Sequence, residues 1–278
     1  MFRLLDIELH KLKYSRSAKI LTITYFILIT FIALIASIEF DLGQIHFRLA
    51  DQGIFNFPFI WHFNSYIAAL LKLFLAIVIV SMMSNEYSNR TLKQNLIDGL
   101  SKKEFVLSKF LTVLLFSIIS TFFLFIVSLI LGYSFSDYTE FSIVFSDMEY
   151  LFGYFIKLLG FFSFCMFIGI LIKRSAFALG FLFIWWVLEN IVSGILTWRI
   201  FRDSDIAENI VQFFPLASMS NLVIEPFSRL NFIQTAASQI GSELNKDYGV
   251  HWYQLLIVIA WTFIFVYLSL ALLKKRDL

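Results

Sequence analysis

Cysteine is almost missing from this 278-residue chain, and the single one, Cys165, sits in an apolar run. One thiol excludes an intramolecular disulfide and any cysteine-based metal cluster, and its surroundings suit a small buried side chain. Charged residues are also few, 15% against about 25% in an average soluble domain. The net charge of +2 is too small to point to nucleic acid as a partner. No G-x-x-x-x-G-K-S/T stretch occurs, so there is no loop to cradle nucleotide phosphates. The histidines His10, His46, His62 and His251 are scattered, with no H-E-x-x-H among them, which argues against a zinc protease. The G-x-S-x-G elbow of serine hydrolases is missing too. No aspartate lies inside a long apolar run, which argues against an intramembrane aspartyl protease. No catalytic group, metal site or cofactor-binding motif is assigned to this chain.

Apolar side chains dominate: 59% of residues are hydrophobic and the mean hydropathy is +0.81. Lipid, rather than water, is the solvent expected for most of the chain. A bilayer core about 30 Å thick takes roughly 20 helical residues. Six stretches meet that length: Ile20–Ile38, Trp61–Met83, Phe105–Tyr133, Leu151–Ile172, Ala176–Leu196 and Trp252–Leu273. Backbone groups in lipid must be satisfied within their own segment, so each stretch reads as a helix. The fold class is an all-α polytopic membrane protein, with residues 1–278 as one transmembrane domain. A cleaved signal peptide competes for the first stretch through Ala33–Ser37. Its apolar run, however, exceeds the usual length of about 7–15 residues, and five more spans follow.

Lys and Arg gather on one side of this plan. Arg3, Lys11, Lys13, Arg16 and Lys19 precede the first span. Arg90, Lys93, Lys102, Lys103 and Lys109 follow the second, Lys173 and Arg174 the fourth, and Lys274, Lys275 and Arg276 the last. The opposite loop Ser134–Tyr150 has no Lys or Arg and carries Asp137, Glu140, Asp147 and Glu149. The positive-inside rule places both termini in the cytoplasm, in keeping with an even number of spans, and a bacterial inner (plasma) membrane is expected. Trp61, Trp198 and Trp252 fall near the expected interfaces, where an aromatic belt belongs.

Two segments outside the spans are patterned. In residues 1–19, Phe2, Leu5, Leu9 and Leu12 repeat at helical spacing while Asp6, Lys11 and Lys13 take other faces. This reads as an amphipathic helix on the inner membrane surface; the plainer alternative is a basic flank that only orients the first span. Residues 84–104 are more than a turn between spans. Ser88 or Asn89 can cap a short helix over Thr91–Asp98, and Leu92, Leu96 and Ile97, at i, i+4 and i+5, give it one apolar face. Gly99 can end it with a positive φ, and Ser101 with Glu104 has the capping-box spacing for the helix that enters the third span. A cytoplasmic docking helix that shows Leu92 and Leu96 to a partner is expected, the alternative being a solvated basic loop.

These segments resemble a known family. Glu86 at the end of the second span, Thr91–Leu92, the turn Asp98–Leu100, Ser101 with Lys102 and Lys103, and Lys109 look like the membrane subunit of an ABC exporter of the second type, the ABC-2-type transporter permeases. Glu8-Leu9-His10-Lys11-Leu12 resembles the family's opening surface helix, and Val211–Leu216, with Pro215, the segment before its last span. Many members have Gly before the Thr-Leu pair and Pro before the Ser; this chain has Arg90 and Leu100. The resemblance implies that the loop helix docks in a cleft of a separate ABC ATPase subunit, through Glu86, Arg90, Thr91, Leu92, Leu96, Ser101 and Lys102. ATP and Mg would belong to that partner, and the permease would pair with a second copy or a paralogue. The outer segment 197–251 would form a cap whose short helices dip back into the membrane.

Charges inside spans cost about 2.5–3.5 kcal/mol at a helix centre. Lys157, near the outer start of its span, is expected to snorkel. Glu189, followed by Asn190, is expected to pair with Lys72 or Lys157, either beside a translocation path or as a packing pair. Ile210–Met219 is too short to span and suits a re-entrant or interfacial helix. Two functional classes follow. One is a permease exporting an unidentified substrate on a partner's ATP; the other is an ion- or proton-coupled secondary transporter using Lys72 and Glu189. No inverted repeat is visible in the sequence, which weakens the second. A membrane enzyme has no motif in its favour.

Overall fold

The computed structural model describes residues 2–35, 39–42, 45–48, 53–202, 206–239 and 246–276. The chain opens with α1 (Phe2–Tyr14), and Ser15 then breaks the helix. The Ser15 hydroxyl accepts from the Ala18 N–H at 3.3 Å, which starts α2 (Arg16–Ile35) as a new helix. A hairpin of β1 (Glu39–Leu42) and β2 (Ile45–Arg48) follows, antiparallel, with Glu39 opposite Arg48 and Leu42 opposite Ile45. The remaining elements are helical. They are α3 (Phe59–Ser88), α4 (Thr91–Ile97), α5 (Lys102–Phe135), α6 (Phe141–Val144), α7 (Glu149–Ile172) and α8 (Ser175–Ile195), which continues as a π-helical turn over Leu196–Ile200. Then come α9 (Ile206–Val211), α10 (Pro215–Asn221), a 3-10 turn (Phe227–Arg229), α11 (Asn231–Gln239) and α12 (Trp252–Lys275).

Five helical stretches among the described residues are long and apolar enough to cross a membrane: α3, α5, α6–α7, α8 with its π turn, and α12. They coincide with five of the six expected spans. The first expected span is helical to Ile35, and its residues 36–38 lie outside the described set. The 34 residues of α5 extend about 51 Å at 1.5 Å per residue, well beyond a hydrocarbon core of about 30 Å. The helical class holds, with the short hairpin as an addition to it.

α7 is the centre of the bundle. It packs against α3, α12, α5 and α8, and 72% of the apolar window in its span is buried, against 6% for the α8 span. The α3–α7 approach depends on Gly169: a Cβ there would meet Met83 Cβ at 2.8 Å. Two polar contacts pin the helices in register. Tyr25 of α2 and Tyr154 of α7 share a hydrogen bond of 2.6 Å, and Asn64 of α3 donates to Ser128 of α5 at 2.9 Å. Trp61 is fully buried in the bundle and donates its indole N–H to the Val144 carbonyl at 2.8 Å. Trp198 and Trp252 are exposed.

The segment expected as one short helix over Ile210–Met219 is broken. Phe214 is extended, with ψ near 143°, and Pro215 takes the first position of α10. Proline disfavours helical backbone in the residue before it and suits the first turn after it, so the break falls where the sequence places Pro215. The stretch after α10 is anchored by Arg229. Its guanidinium donates to His62 Nδ1 at 3.2 Å and lies over the rings of Phe59 and Tyr248. Because guanidinium only donates and carbonyl only accepts, the 2.9 Å contact of His62 Nε2 with the Ile224 carbonyl makes Nε2 the protonated nitrogen. Within the outer segment 197–251, residues 203–205 and 240–245 lie outside the described set.

Candidate functional site

At the end of α3 the chain turns twice and re-enters the bundle. The helix passes its apolar run and stops at Ser88; neither Ser88 nor Asn89 caps α4. Arg90 does so in the left-handed region, with φ 56° and ψ 17°, and without a side-chain hydrogen bond. This is the position where many family members have glycine, whose backbone takes that conformation without a Cβ clash. α4 then ends as expected. Gly99 has φ 96°, the Gly99 N–H donates to the Leu96 carbonyl at 3.2 Å, and the Leu100 N–H donates to the Asn95 carbonyl at 3.0 Å. These are the paired bonds of a Schellman ending. The capping box also forms. The Glu104 N–H donates to the Ser101 hydroxyl at 3.2 Å, and the Glu104 carboxylate accepts from the Ser101 N–H at 2.9 Å.

Beneath α4 lies a buried cluster of two carboxylates and two ammonium groups from three helices. Lys109 of α5 is fully buried and donates to Glu8 of α1 at 2.6 Å and to Glu86 of α3 at 2.5 Å. Lys11, one turn along α1 from Glu8, reaches Glu86 at 2.7 Å and Glu8 at 3.5 Å. Burial works against the charge of Lys11, but these carboxylates outweigh it and hold its pKa above the usual lysine value. α4 joins through Thr91, whose hydroxyl donates to Glu86 at 2.6 Å, and Asn95, whose amide reaches the same oxygen at 3.5 Å. The formal charges cancel, so the cluster sits at low dielectric without an unpaired ion. A cleft of about 180 Å³ opens beside it, lined by Arg3, Glu8, Lys11, Asn95, Asp98 and Ser108, among others.

This geometry revises the expected docking surface. Leu92 is 2% exposed and belongs to the core, and Leu96 is half-buried against it, so neither is offered to a partner in the isolated chain. The exposed apolar residue of α4 is Ile97, at 70%. Residues 92 and 96 lie about 40° apart around a helix, but 97 lies about 140° from 92, so the three never shared one face. Around Ile97 stand exposed Arg90, Lys93, Gln94 and Asp98. Glu86 and Thr91 are engaged inside the cluster, and Ser101 caps α5. Lys102 faces another element: it donates to the Arg276 carbonyl at 2.9 Å, at the end of α12. On α1, Glu8 is 2% exposed and Leu9 40%, while Leu5 and Leu12 are half-buried on the same side as Glu8, so the face turned to the bundle carries Glu8 among leucines and Leu9 turns away from it. The pairing of Glu8, Lys11, Glu86 and Lys109 went unread in the sequence because its members lie up to 101 residues apart.

The charges within spans are also arranged differently from expectation. Glu189 pairs with neither Lys72 nor Lys157. Its carboxylate accepts the Leu216 N–H at 3.0 Å, the Ala217 N–H at 3.1 Å and the Trp185 indole N–H at 2.6 Å. Those two amides are the second and third of α10, whose own cap residue, Phe214, has no side-chain acceptor. Lys157 does not snorkel. It is 4% exposed and donates to the carbonyls of Ser220 and Val223, at 3.3 and 3.1 Å, at the other end of α10. An anion at the N-terminus and a cation at the C-terminus both complement the helix dipole. Asn190 is exposed and donates to the Trp186 carbonyl of its own helix, at 2.7 Å. Among the described residues, no three His, Cys, Asp or Glu side chains are placed to hold a metal ion.

Residues 50–273 match the family described as ABC-2 family transporter protein. The chain belongs to that family. It is an ABC transporter permease, an integral membrane protein of several apolar helices, and the family is a transport component rather than a catalytic one. No curated protein matches the sequence. The family match begins after α1 and α2, so two members of the permease's charge cluster, Glu8 and Lys11, lie outside it, while Glu86 and Lys109 lie within.

Proposed function

We propose that this permease is the membrane half of an ABC exporter, and that a separate ATPase subunit drives it by docking on the exposed rim of α4. The observation that carries the reading is the buried cluster of Glu8, Lys11, Glu86 and Lys109. It ties the small helix at once to α1, α3 and α5, so a push on α4 is delivered to two long apolar helices together. The free side of α4 supplies one large apolar side chain, Ile97, inside a rim that includes Arg90 and Lys93. An apolar centre within a polar rim is the usual anatomy of a protein interface. ATP and Mg are assigned to the partner, which closes in pairs on nucleotide. The permease accordingly works as a dimer with a second copy or a paralogue.

The remaining topology follows the same reading. α2 is the first of six spans, both termini and α4 face the cytoplasm of a bacterial cell, α1 lies along the inner surface, and residues 197–251 form the outer re-entrant cap. Co-purification tests the docking claim. Tagged full-length permease is expected to retain a chain carrying a G-x-x-x-x-G-K-S/T loop, and Ile97→Asp is expected to release it. Leu92→Ala, which lowers stability, is expected to keep the partner. Release by Leu92→Ala but not by Ile97→Asp would overturn the assignment of the docking face.

A further inference from the structure

The hydrogen bonds that tie α12 to other spans gather at its carboxyl end. At Arg276 the backbone leaves the helix, with φ −88° and ψ 125°. The Arg276 guanidinium donates to the Tyr87 hydroxyl of α3 at 3.0 Å, to the Ile170 carbonyl at 2.5 Å and to the Leu171 carbonyl at 2.9 Å. It also lies 5.6 Å from the centroid of the Tyr87 ring. Ile170 and Leu171 stand in the last turn of α7, where carbonyls have no partner within their own helix. The Lys173 N–H takes the Gly169 carbonyl, and Lys173 turns the chain away with φ 65°. Arg276 therefore caps a helix that is not its own, from 105 residues further along the chain, and its positive charge complements the dipole there. From the other side Lys102, the first residue of α5, donates to the carbonyls of Lys274 and Arg276 at 3.5 and 2.9 Å.

These contacts bracket α4. Tyr87 is the next-to-last residue of α3 and follows Glu86 of the charge cluster, while Lys102 follows the Ser101 cap. The segment between them, residues 88–101, holds α4. Both chain ends that carry α4 thus meet Arg276. Deeper in the bundle α7 meets α3 and α12 through rings. The Lys72 ammonium of α3 lies 4.5 Å from the centroid of the Phe161 ring, and the Phe164 and Phe265 rings lie 4.7 Å apart. Ring contacts hold two helices together over a range of offsets, whereas a hydrogen bond weakens steeply with distance and angle and so fixes register.

We infer that Arg276 is a positioning residue for transport: together with Lys102 it makes α12 and α7 follow α4, so that a displacement of the small helix reaches α3, α5, α7 and α12 together. The partner that displaces α4 belongs to the proposed docking reading, on which the word transport rests here; the linkage is a property of the chain alone. Hydrogen exchange of the purified full-length permease in a non-ionic detergent tests it, with Leu92→Ala to loosen α4. In the wild-type background this substitution is expected to speed exchange at residues 268–275 about tenfold and to leave residues 252–258, at the other end of α12, unchanged. In Arg276→Gln/Lys102→Met, where residues 268–275 exchange faster from the outset, adding Leu92→Ala is expected to change them less than about twofold. Arg276→Gln alone keeps Lys102 on the α12 carbonyls and is expected to reduce the response to about threefold, which serves if the double variant does not fold. No response at residues 268–275 to Leu92→Ala, or the full response with Arg276 replaced, would overturn the inference. In the complex with its ATPase, ATP and vanadate are expected to alter exchange at residues 268–275 of the wild type and not of the double variant, while residues 102–108 respond in both; an equal change at residues 268–275 in both would also overturn it. Failure to retain an ATPase would count against the docking reading only, since the Leu92→Ala comparison decides the linkage without a partner.

Discussion

Replacing Lys109 by methionine removes the centre of the buried cluster while keeping most of its volume. The lysine holds two carboxylates, at 2.6 Å and 2.5 Å, in a place with no solvent exposure. Without it Glu8 and Glu86 face each other, both about 3% exposed, with only the partly exposed Lys11 between them. Breaking a buried pair by removing one partner costs about 3–5 kcal/mol, against about 0.2–1 kcal/mol for an exposed pair. Because Lys11 stays bonded to both carboxylates, the lower end, about 3 kcal/mol, is expected, which is roughly a 100-fold loss in the folded-to-unfolded ratio. Titrating SDS into the purified permease in mixed micelles, with tryptophan fluorescence as the signal, measures the shift. A second variant separates charge from volume. Neutralising all three buried members in E8Q/E86Q/K109M is expected to recover stability to within about 1 kcal/mol, since apolar or neutral groups replace a buried charge network at little net cost. A loss below about 1 kcal/mol for Lys109→Met, or a triple variant as weak as the single, would refute the reasoning.

Other substitutions address other parts of the structure. Arg90→Gly relieves the left-handed backbone at φ 56° and is expected to raise stability by about 0.5–1 kcal/mol, visible as a later SDS midpoint; an earlier midpoint would contradict it. Glu189→Gln removes the negative charge at the start of α10 and is expected to cost about 1 kcal/mol locally. Faster hydrogen exchange at Leu216 and Ala217 reports it, and unchanged exchange there counts against the capping role. At Glu225, burial works against ionisation, but hydrogen bonds from Lys246 and Ser228 outweigh it and hold the carboxyl below its usual range. A depressed carboxyl contributes stability that is present above its unfolded pKa and lost as pH falls through the folded one. Exchange protection around residues 225–229, corrected for intrinsic rate, is therefore expected to be steady from pH 7 to 5 and to fall below about pH 4. No change by pH 3 would exclude this contribution.

The spans were legible because lipid imposes one requirement on every residue in them, and a run of apolar side chains satisfies it without reference to the rest of the chain. Ser101, Glu104 and Gly99 were legible for a similar reason: caps and left-handed turns are contracts between residues three or four apart. What was misread depends on direction or on distance. Leu92, Leu96 and Ile97 have the spacing of a helical face only if a 140° turn is ignored, and which side of a short helix meets the protein is decided by neighbours from α1, α3 and α5. Lys157 and Glu189 were read as candidates for each other because side-chain charges are visible in a sequence. The backbone charges that engage them, at the two ends of α10, are not. Pro215, which sets where that helix begins, was visible but had been read only as a family mark.

The seven residues of α10 have a bearing on how the chain is made. An acid on α8 and a base on α7 both enter the membrane before the segment that answers them has been synthesised. Until residues 215–223 arrive, each must find temporary company, from water, lipid headgroups or the other. Assembly of the bundle is then not finished when α8 is inserted; it waits for a piece of chain too short to cross. A nascent chain halted before Pro215 would lack the backbone groups that answer Glu189 and Lys157, whereas one halted just past Val223 would carry them.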